Sequence, residues 1–168
     1  MEVKNMVKKQ KSWQEKLADS KDLPKMIKVT PKMAGRWGAK LGDTVVIPAP
    51  IEVDEIMKKV PKGRLITINE IKEALAQKHK KNRATIGCPI TTGIFAWIAA
   101  HAAEESRAEG KKDITPYWRT LKTSGEINPR YPGGVEAQKK LLEEEGHKVI
   151  QKGKKFIVVD FERHLVNL

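Results

Sequence analysis

Hydrophobic and polar positions along the chain sort into short helices and shorter strands. Trp13 and Leu17, spaced i, i+4, mark a helix over 12–20. Residues 26–29 and 43–47 are apolar runs of strand length. Between them 31–38 reads as one helical turn opened by Pro31, and Gly42-Asp43 as a turn. Pro48-Ala49-Pro50 is stiff and marks a boundary. Ile51, Val53, Ile56, Met57 and Val60 follow a helical period, which Pro61-Lys62-Gly63 ends. After an extended link at 64–66, Thr67-Ile68-Asn69-Glu70 has the spacing of a capping box, in which Thr67 and Glu70 satisfy each other's backbone amides.

The helix that follows runs to about Lys80 and turns Ile68, Ile71, Ala74 and Leu75 inward. Residues 79–87 read as a polar loop. Thr91 or Thr92 is then expected as the N-cap of the longest helix, 93–108, which Gly110 stops. Small residues along it suit close approach to another helix or to a nucleic-acid backbone, and periodicity leaves a buried core helix equally open. Residues 114–121 read as extended, Ser124-Gly125 as a turn and 128–134 as a loop. A helix over 135–145 closes at Gly146, strands at 147–151 and 155–160 form a hairpin about Lys152-Gly153, and 161–168 is a short terminal helix. The class is α+β, mainly helical.

Composition narrows the partners. Lys and Arg total 33 against 21 Asp and Glu, a net charge of +12, which points to a polyanion rather than only a charged soluble surface. The first 11 residues read as a disordered basic tail with no apolar core of signal-peptide type after them, and no stretch approaches the ~18–20 apolar residues of a membrane span. A cytoplasmic protein with no membrane partner is expected. Cys88 is single, so neither an intramolecular disulfide nor a CxxC metal site is available. His79, His101, His147 and His164 lack ligand-like spacing, and no metal or cofactor is expected.

Six stretches then stand in one order: Val60-Pro61-Lys62-Gly63-Arg64, Thr67-Ile68-Asn69-Glu70-Ile71, Pro116-Tyr117-Trp118-Arg119, Ser124-Gly125-Glu126-Ile127, Pro132-Gly133-Gly134 and Leu141-Leu142-Glu143-Glu144-Glu145-Gly146. Together they resemble the DNA-binding domain of the alkylguanine-DNA alkyltransferases and their alkyltransferase-like relatives, over roughly residues 51–150. The resemblance implies a winged helix-turn-helix-like domain at 48–150, with a basic extension at 1–47 and a strand and short helix at 151–168 packed on it. It implies that the helix-turn-helix enters the minor groove and that a damaged guanine is flipped into a pocket. In the enzymes a cysteine thiolate within Pro-Cys-His-Arg takes the alkyl group.

Tyr117 stands at that cysteine position and Trp118 at the histidine position, while Pro116, Arg119 and the matching Glu145 are kept. A phenol of pKa about 10 is a poor nucleophile at neutral pH. The chain is therefore most similar to the branch that lacks the cysteine and binds lesions without repairing them. The resemblance places Tyr117, Trp118, Pro116, Glu145, Tyr131, Gly133 and Gly134 around a lesion pocket. It places Thr67, Ile68, Asn69, Thr91, Thr92, Gly93, Ile94, Trp97, Lys111, Lys112 and Arg119 toward DNA, with Lys62, Arg64, Lys78, Lys80, Lys81 and Arg83 adding positive charge. Double-stranded DNA is the expected partner, with other repair proteins recruited to a monomer.

Two of the family's flipping tools are missing. Its phosphate-pressing tyrosine falls on Ile68, and its gap-filling arginine falls near Gly93. Phe95 or Trp97 could wedge instead, although helix patterning favours the core for both. Two alternatives remain. Alkyl transfer through Cys88 would use a cysteine before a helix N-terminus, a setting that activates thiols in general. A general nucleic-acid-binding module would have kept the fold and lost the pocket.

Overall fold

The computed structural model describes residues 10–167, so most of the predicted basic tail and the last residue of the predicted terminal helix lie outside the described residues. Helix α1 (Trp13–Ala18) begins on Ser12, whose hydroxyl accepts the Glu15 amide at 3.1 Å. Strand β1 (Lys25–Lys28) pairs antiparallel with β2 (Thr44–Ile47), setting Met26 opposite Val46. The segment between opens on one helical turn after Pro31, in which the Ala34 amide donates to the Thr30 carbonyl at 3.0 Å, but it ends before the expected bound at 38 and tight turns follow. Gly35, Trp37 and Gly38 take φ of 86°, 40° and 80°, a left-handed conformation that a right-handed helix cannot contain.

Pro48-Ala49-Pro50 proves to be a helix start. Ala49 is the N-cap and Pro50 the first residue of α2 (Pro50–Lys58), where proline's missing N–H costs nothing. Met57 and Val53 are its fully buried positions. Strand β3 (Ile66–Thr67) runs directly into α3 (Ile68–Lys78). The capping box is present: Thr67 Oγ1 accepts the Asn69 amide at 3.2 Å, and Glu70 accepts the Thr67 amide at 3.0 Å.

The predicted polar loop at 79–87 carries more structure than its composition suggested. His79 is buried with Nε2 2.6 Å from Glu52, a short 3-10 turn spans Lys80–Asn82, and β4 (Ile86–Gly87) lies parallel to β2. Gly87 is required there, since a Cβ would stand 2.7 Å from the Lys72 carbonyl oxygen. Helix α4 (Pro89–Ala108) starts earlier than either threonine, because Cys88 caps it and Pro89 fits its first position. Thr92 is instead buried inside the first turns and donates to the Cys88 carbonyl at 2.6 Å. Ala96, Ala99, Ala100 and Ala103 form the buried face that lets α4 pack closely.

The stretch 114–121 is not extended throughout: Tyr117–Arg119 is a 3-10 turn, followed by β5 (Thr120–Leu121) parallel to β3. Helix α5 (Gly134–Glu144) follows Gly133, whose φ of 78° makes the sharp entry. Strands β6 (Val149–Lys152) and β7 (Lys155–Val158) form the predicted hairpin. Bonds from the Ile127 amide to the Phe156 carbonyl (2.8 Å) and from the Val158 amide to the Gly125 carbonyl (3.0 Å) tie that hairpin to the preceding loop. Phe161–His164 is a 3-10 turn rather than a regular helix.

The main core joins Val46, Val53, Met57, Ile71, Leu75 and the α4 alanines to Tyr117 and Tyr131. A second cluster joins Leu65, Leu121, Ile127, Leu142 and Val158 beneath the hairpin. The fold is α+β with helices predominant. No helix among the described residues is long and apolar enough to cross a membrane.

Candidate nucleic-acid interface

The turn carrying Tyr117, Trp118 and Arg119 is wedged between α4 and α5. Tyr117 is only 2% exposed, Pro116 is buried beside it, and the Tyr117 hydroxyl donates to Glu104 Oε1 at 2.8 Å. Its ring meets Trp118 and Tyr131 edge-on, at 5.4 and 5.8 Å. Burial, and after it the bond to Glu104, push the phenol well above its ordinary range. The hydroxyl therefore stays protonated and supplies no nucleophile.

Trp118 and Arg119 both turn to Glu145. The indole Nε1 donates to Oε2 at 2.8 Å, while Arg119 Nε and Nη2 each reach a carboxylate oxygen at 2.9 Å. Arg119 Nη1 also donates to the Val60 carbonyl at 2.7 Å, and the Gly63 amide donates to Glu145 at 3.2 Å. Burial opposes ionisation of Glu145, but Arg119, Trp118 and the Gly63 amide together hold its carboxyl below the usual glutamate range. These side chains knot the end of α5 to the turn after α2, and the guanidinium expected to face DNA is committed inward.

A groove of about 650 Å³ opens beside this knot. One wall is Ile68 with Pro89, Ile90, Gly93, Ile94 and Trp97; the other is Lys122, Thr123 and residues 128–131. Four of the residues expected to face DNA (Ile68, Gly93, Ile94 and Trp97) meet here, but Tyr131 alone of the expected pocket set lines it. Trp97 Nε1 donates to the Arg130 carbonyl at 3.1 Å, and its ring stands edge-on to Trp13 at 4.7 Å. Phe95 is partly buried against the main core. The exposed large hydrophobic side chains on α4 are instead Ile90, at 61%, and Ile94, at 45%.

The remaining expected residues are dispersed. Thr67 is buried within its cap, and Asn69 Nδ2 donates to Glu73 at 3.3 Å. Thr91 is half-buried and its hydroxyl has no partner among the described residues. Lys111 pairs loosely with Glu109 at 3.9 Å, and Lys112 is exposed. Gly133 and Gly134 form the entry to α5, where a Cβ on Gly133 would lie 2.5 Å from that of Ala137. Cys88 is buried with Val29, Ala39 and Val45. Ile90, Lys122, Arg130 and Glu104 were not anticipated. Ile90 alone left a signal, since it stands i, i+4 from Ile94 once the helix begins at Pro89.

No protein-family model matches the chain, and no curated protein matches it. Among solved structures, S. pombe ATL in complex with DNA is similar at 18% identity with a TM-score of 0.51, covering 71% of this chain and 94% of that one. S. pombe Atl1 in complex with damaged DNA containing O6-carboxymethylguanine is similar at 19% identity with a TM-score of 0.49 and the same coverage. At 18% identity the likeness to the DNA complex with a TM-score of 0.51 is one of fold.

Proposed function

We propose that this chain is a non-enzymatic, alkyltransferase-like protein that binds duplex DNA and holds a damaged guanine, using the exposed face of α3 and α4. The observation that carries the reading is the groove itself. Its floor is apolar, Lys122 and Arg130 stand on its rim, and no carboxylate among the described residues lines it. A floor of that kind suits sugar edges and base faces, and a rim of that kind suits phosphates. The net charge of +12 and the solved DNA complex of the same fold support it.

Tyr117 argues against alkyl transfer at the family's acceptor position, since its hydroxyl is buried, protonated and bonded to Glu104. Cys88 offers no substitute from within its apolar cluster. The β6–β7 hairpin serves as the wing, with exposed Lys152, Lys154 and Lys155 at its tip and its base bonded to the loop that leads to Lys122. In this reading residues 48–150 are the DNA-binding domain flanked by 1–47 and 151–168, and a cytoplasmic monomer delivers other repair proteins to the lesion.

The deciding experiment titrates matched duplexes, one with guanine and one with O6-alkylguanine, at low and moderate salt. Tighter binding of the alkylated duplex, weakened by salt, is expected. Equal affinity for the two would remove the lesion from the reading, and absence of duplex binding would end it. Equal affinity would leave a general duplex-binding module, a second reading favoured by the near-complete burial of Tyr117.

A further inference from the structure

We propose that the β1–β2 connection carries a second DNA-contacting surface, in which Lys32, Arg36 and Lys40 bind duplex phosphates beyond the groove. The proposal rests on the DNA-binding reading above and gives a role to a segment that precedes the stretch resembling the alkyltransferases. That segment is one-sided in charge. From Pro24 to Ala49 it has five Lys and Arg residues and one acidic residue, Asp43. Asp43 is already committed: its Oδ2 accepts the Lys40 amide at 2.8 Å, and its Oδ1 accepts the Thr85 hydroxyl at 2.9 Å. Lys32, Arg36 and Lys40 are exposed and make no ion pair among the described residues.

The connection is long and yet held in place. Connections of this length with no regular helix or strand are uncommon in compact domains and usually functional. The Val29 amide donates to the Asp43 carbonyl at 2.9 Å and closes its two ends. Within it the Gly35 amide donates to the Ala39 carbonyl at 2.8 Å, and the Ala39 amide to the Arg36 carbonyl at 2.8 Å. Beneath, Met33, Ala34 and Trp37 pack against Val29, Ala39, Val45 and Cys88. Trp37 holds a φ of 40°, and a bulky residue keeps such backbone only where its surroundings impose it. The three cations thus stand on a fixed backbone, and less freedom is lost on binding than from a flexible tail.

This platform adjoins both the groove and a second run of cations. Cys88, which it buries, caps α4, and the following Pro89 and Ile90 line the groove. The Thr44 amide donates to Thr85 Oγ1 at 2.9 Å, and Thr85 follows the exposed Lys80, Lys81 and Arg83. No Asp or Glu occurs between Glu73 and Glu104. Cations gathered on two linked loops repel one another in the free protein, and a polyanion removes that repulsion. A duplex that fills the groove continues past it and brings a regular row of phosphates. An anionic lipid surface fits less well, because Leu41 is the one exposed large hydrophobic side chain of the connection. A single such side chain contributes little to holding a bilayer.

The test uses the full chain and follows duplex affinity against salt. Each phosphate contact contributes about 0.9 to the slope of log affinity on log salt. Lys32→Gln/Arg36→Gln/Lys40→Gln should therefore lower the slope by about 2.7, and each single change by about 0.9. Lys58→Gln/Lys59→Gln/Lys140→Gln removes the same net charge from α2, its C-cap and α5, and should keep the wild-type slope. All six side chains are exposed, so both triple variants should fold, and the single changes read the same quantity one contact at a time. An unchanged slope in the first triple variant overturns the proposal and leaves the DNA-binding reading intact. If that variant instead loses a wild-type affinity for phosphatidylserine vesicles, the surface faces lipid. An equal fall in the control variant also overturns it, since net charge alone would account for both. Absence of duplex binding by the wild type overturns both readings.

Discussion

Arg119 grips Glu145 through two nitrogens, each 2.9 Å from a carboxylate oxygen, with the side chains only 13% and 7% exposed. Such a pair stabilises little relative to apolar packing, but removing one partner strands the other. Arg119→Ala should therefore cost about 3 kcal/mol, read from urea unfolding midpoints, with the slope of log affinity against log salt unchanged. A changed slope with unchanged stability would put Arg119 on DNA instead. Because Glu145 is held below its usual range, its contribution is complete above the unfolded value and is lost as pH falls through the folded one. The stability difference between wild type and Glu145→Gln should thus narrow below about pH 4.

Tyr117→Phe removes one hydrogen bond and nothing else. Glu104 is only half-buried and regains water, so the cost should be about 1 kcal/mol. Thermal melts would measure it, and duplex affinity should not move. A large loss of duplex affinity in a folded Tyr117→Phe would mean that the hydroxyl meets DNA.

Gly93 sets stability against binding. An interior helix glycine is about 1 kcal/mol worse than alanine, and the site has room for a methyl group. Gly93→Ala should raise the melting temperature while lowering DNA affinity. If both rose together, close backbone approach at Gly93 would be unnecessary.

His147 is 6% exposed, has no partner for either ring nitrogen among the described residues and faces His164 with ring centroids 5.0 Å apart. Burial, and then the charge of His164, lower its pKa, while Glu145 opposes the shift and Arg119 adds to it. The folded state holds the ring neutral. Its contribution to stability is full above the unfolded value near 6.5 and drains away as pH falls toward the folded value. His147→Phe should flatten the stability–pH curve in that interval and should match or exceed wild type at neutral pH, since no buried nitrogen is left unpaired. An unchanged slope would show that the ring titrates freely.

What could be read from the sequence was what local chemistry decides. The Thr67–Glu70 box, the stop at Gly110 and the Gly153 hairpin each depend on residues a few positions apart, and each appears in the structure. The start of α4 was misread because two threonines looked like caps, yet Pro89 at the first helical position outranks them. The turn opened by Pro31 is shorter than 31–38 because its far half is left-handed, and nothing local announced that backbone at Trp37. The knot around Glu145 and the His79–Glu52 pair were invisible for a different reason: their partners lie far apart in sequence and meet only through packing. For the same reason Arg119 looked like a surface cation.

The first helix has a consequence of its own. It is six residues long, buries none of them and leans on α4 through Trp13, which stacks on His101 at 4.4 Å. His101 Nε2 in turn approaches the Arg130 carbonyl to 3.1 Å, so one imidazole serves both the helix and the wall of the groove. An element so short opens by itself at little cost in free energy. A ligand that steadies Arg130 would tighten this helix from a distance, and trypsin cutting after exposed Lys21 would register the groove's occupancy as a slower rate of nicking.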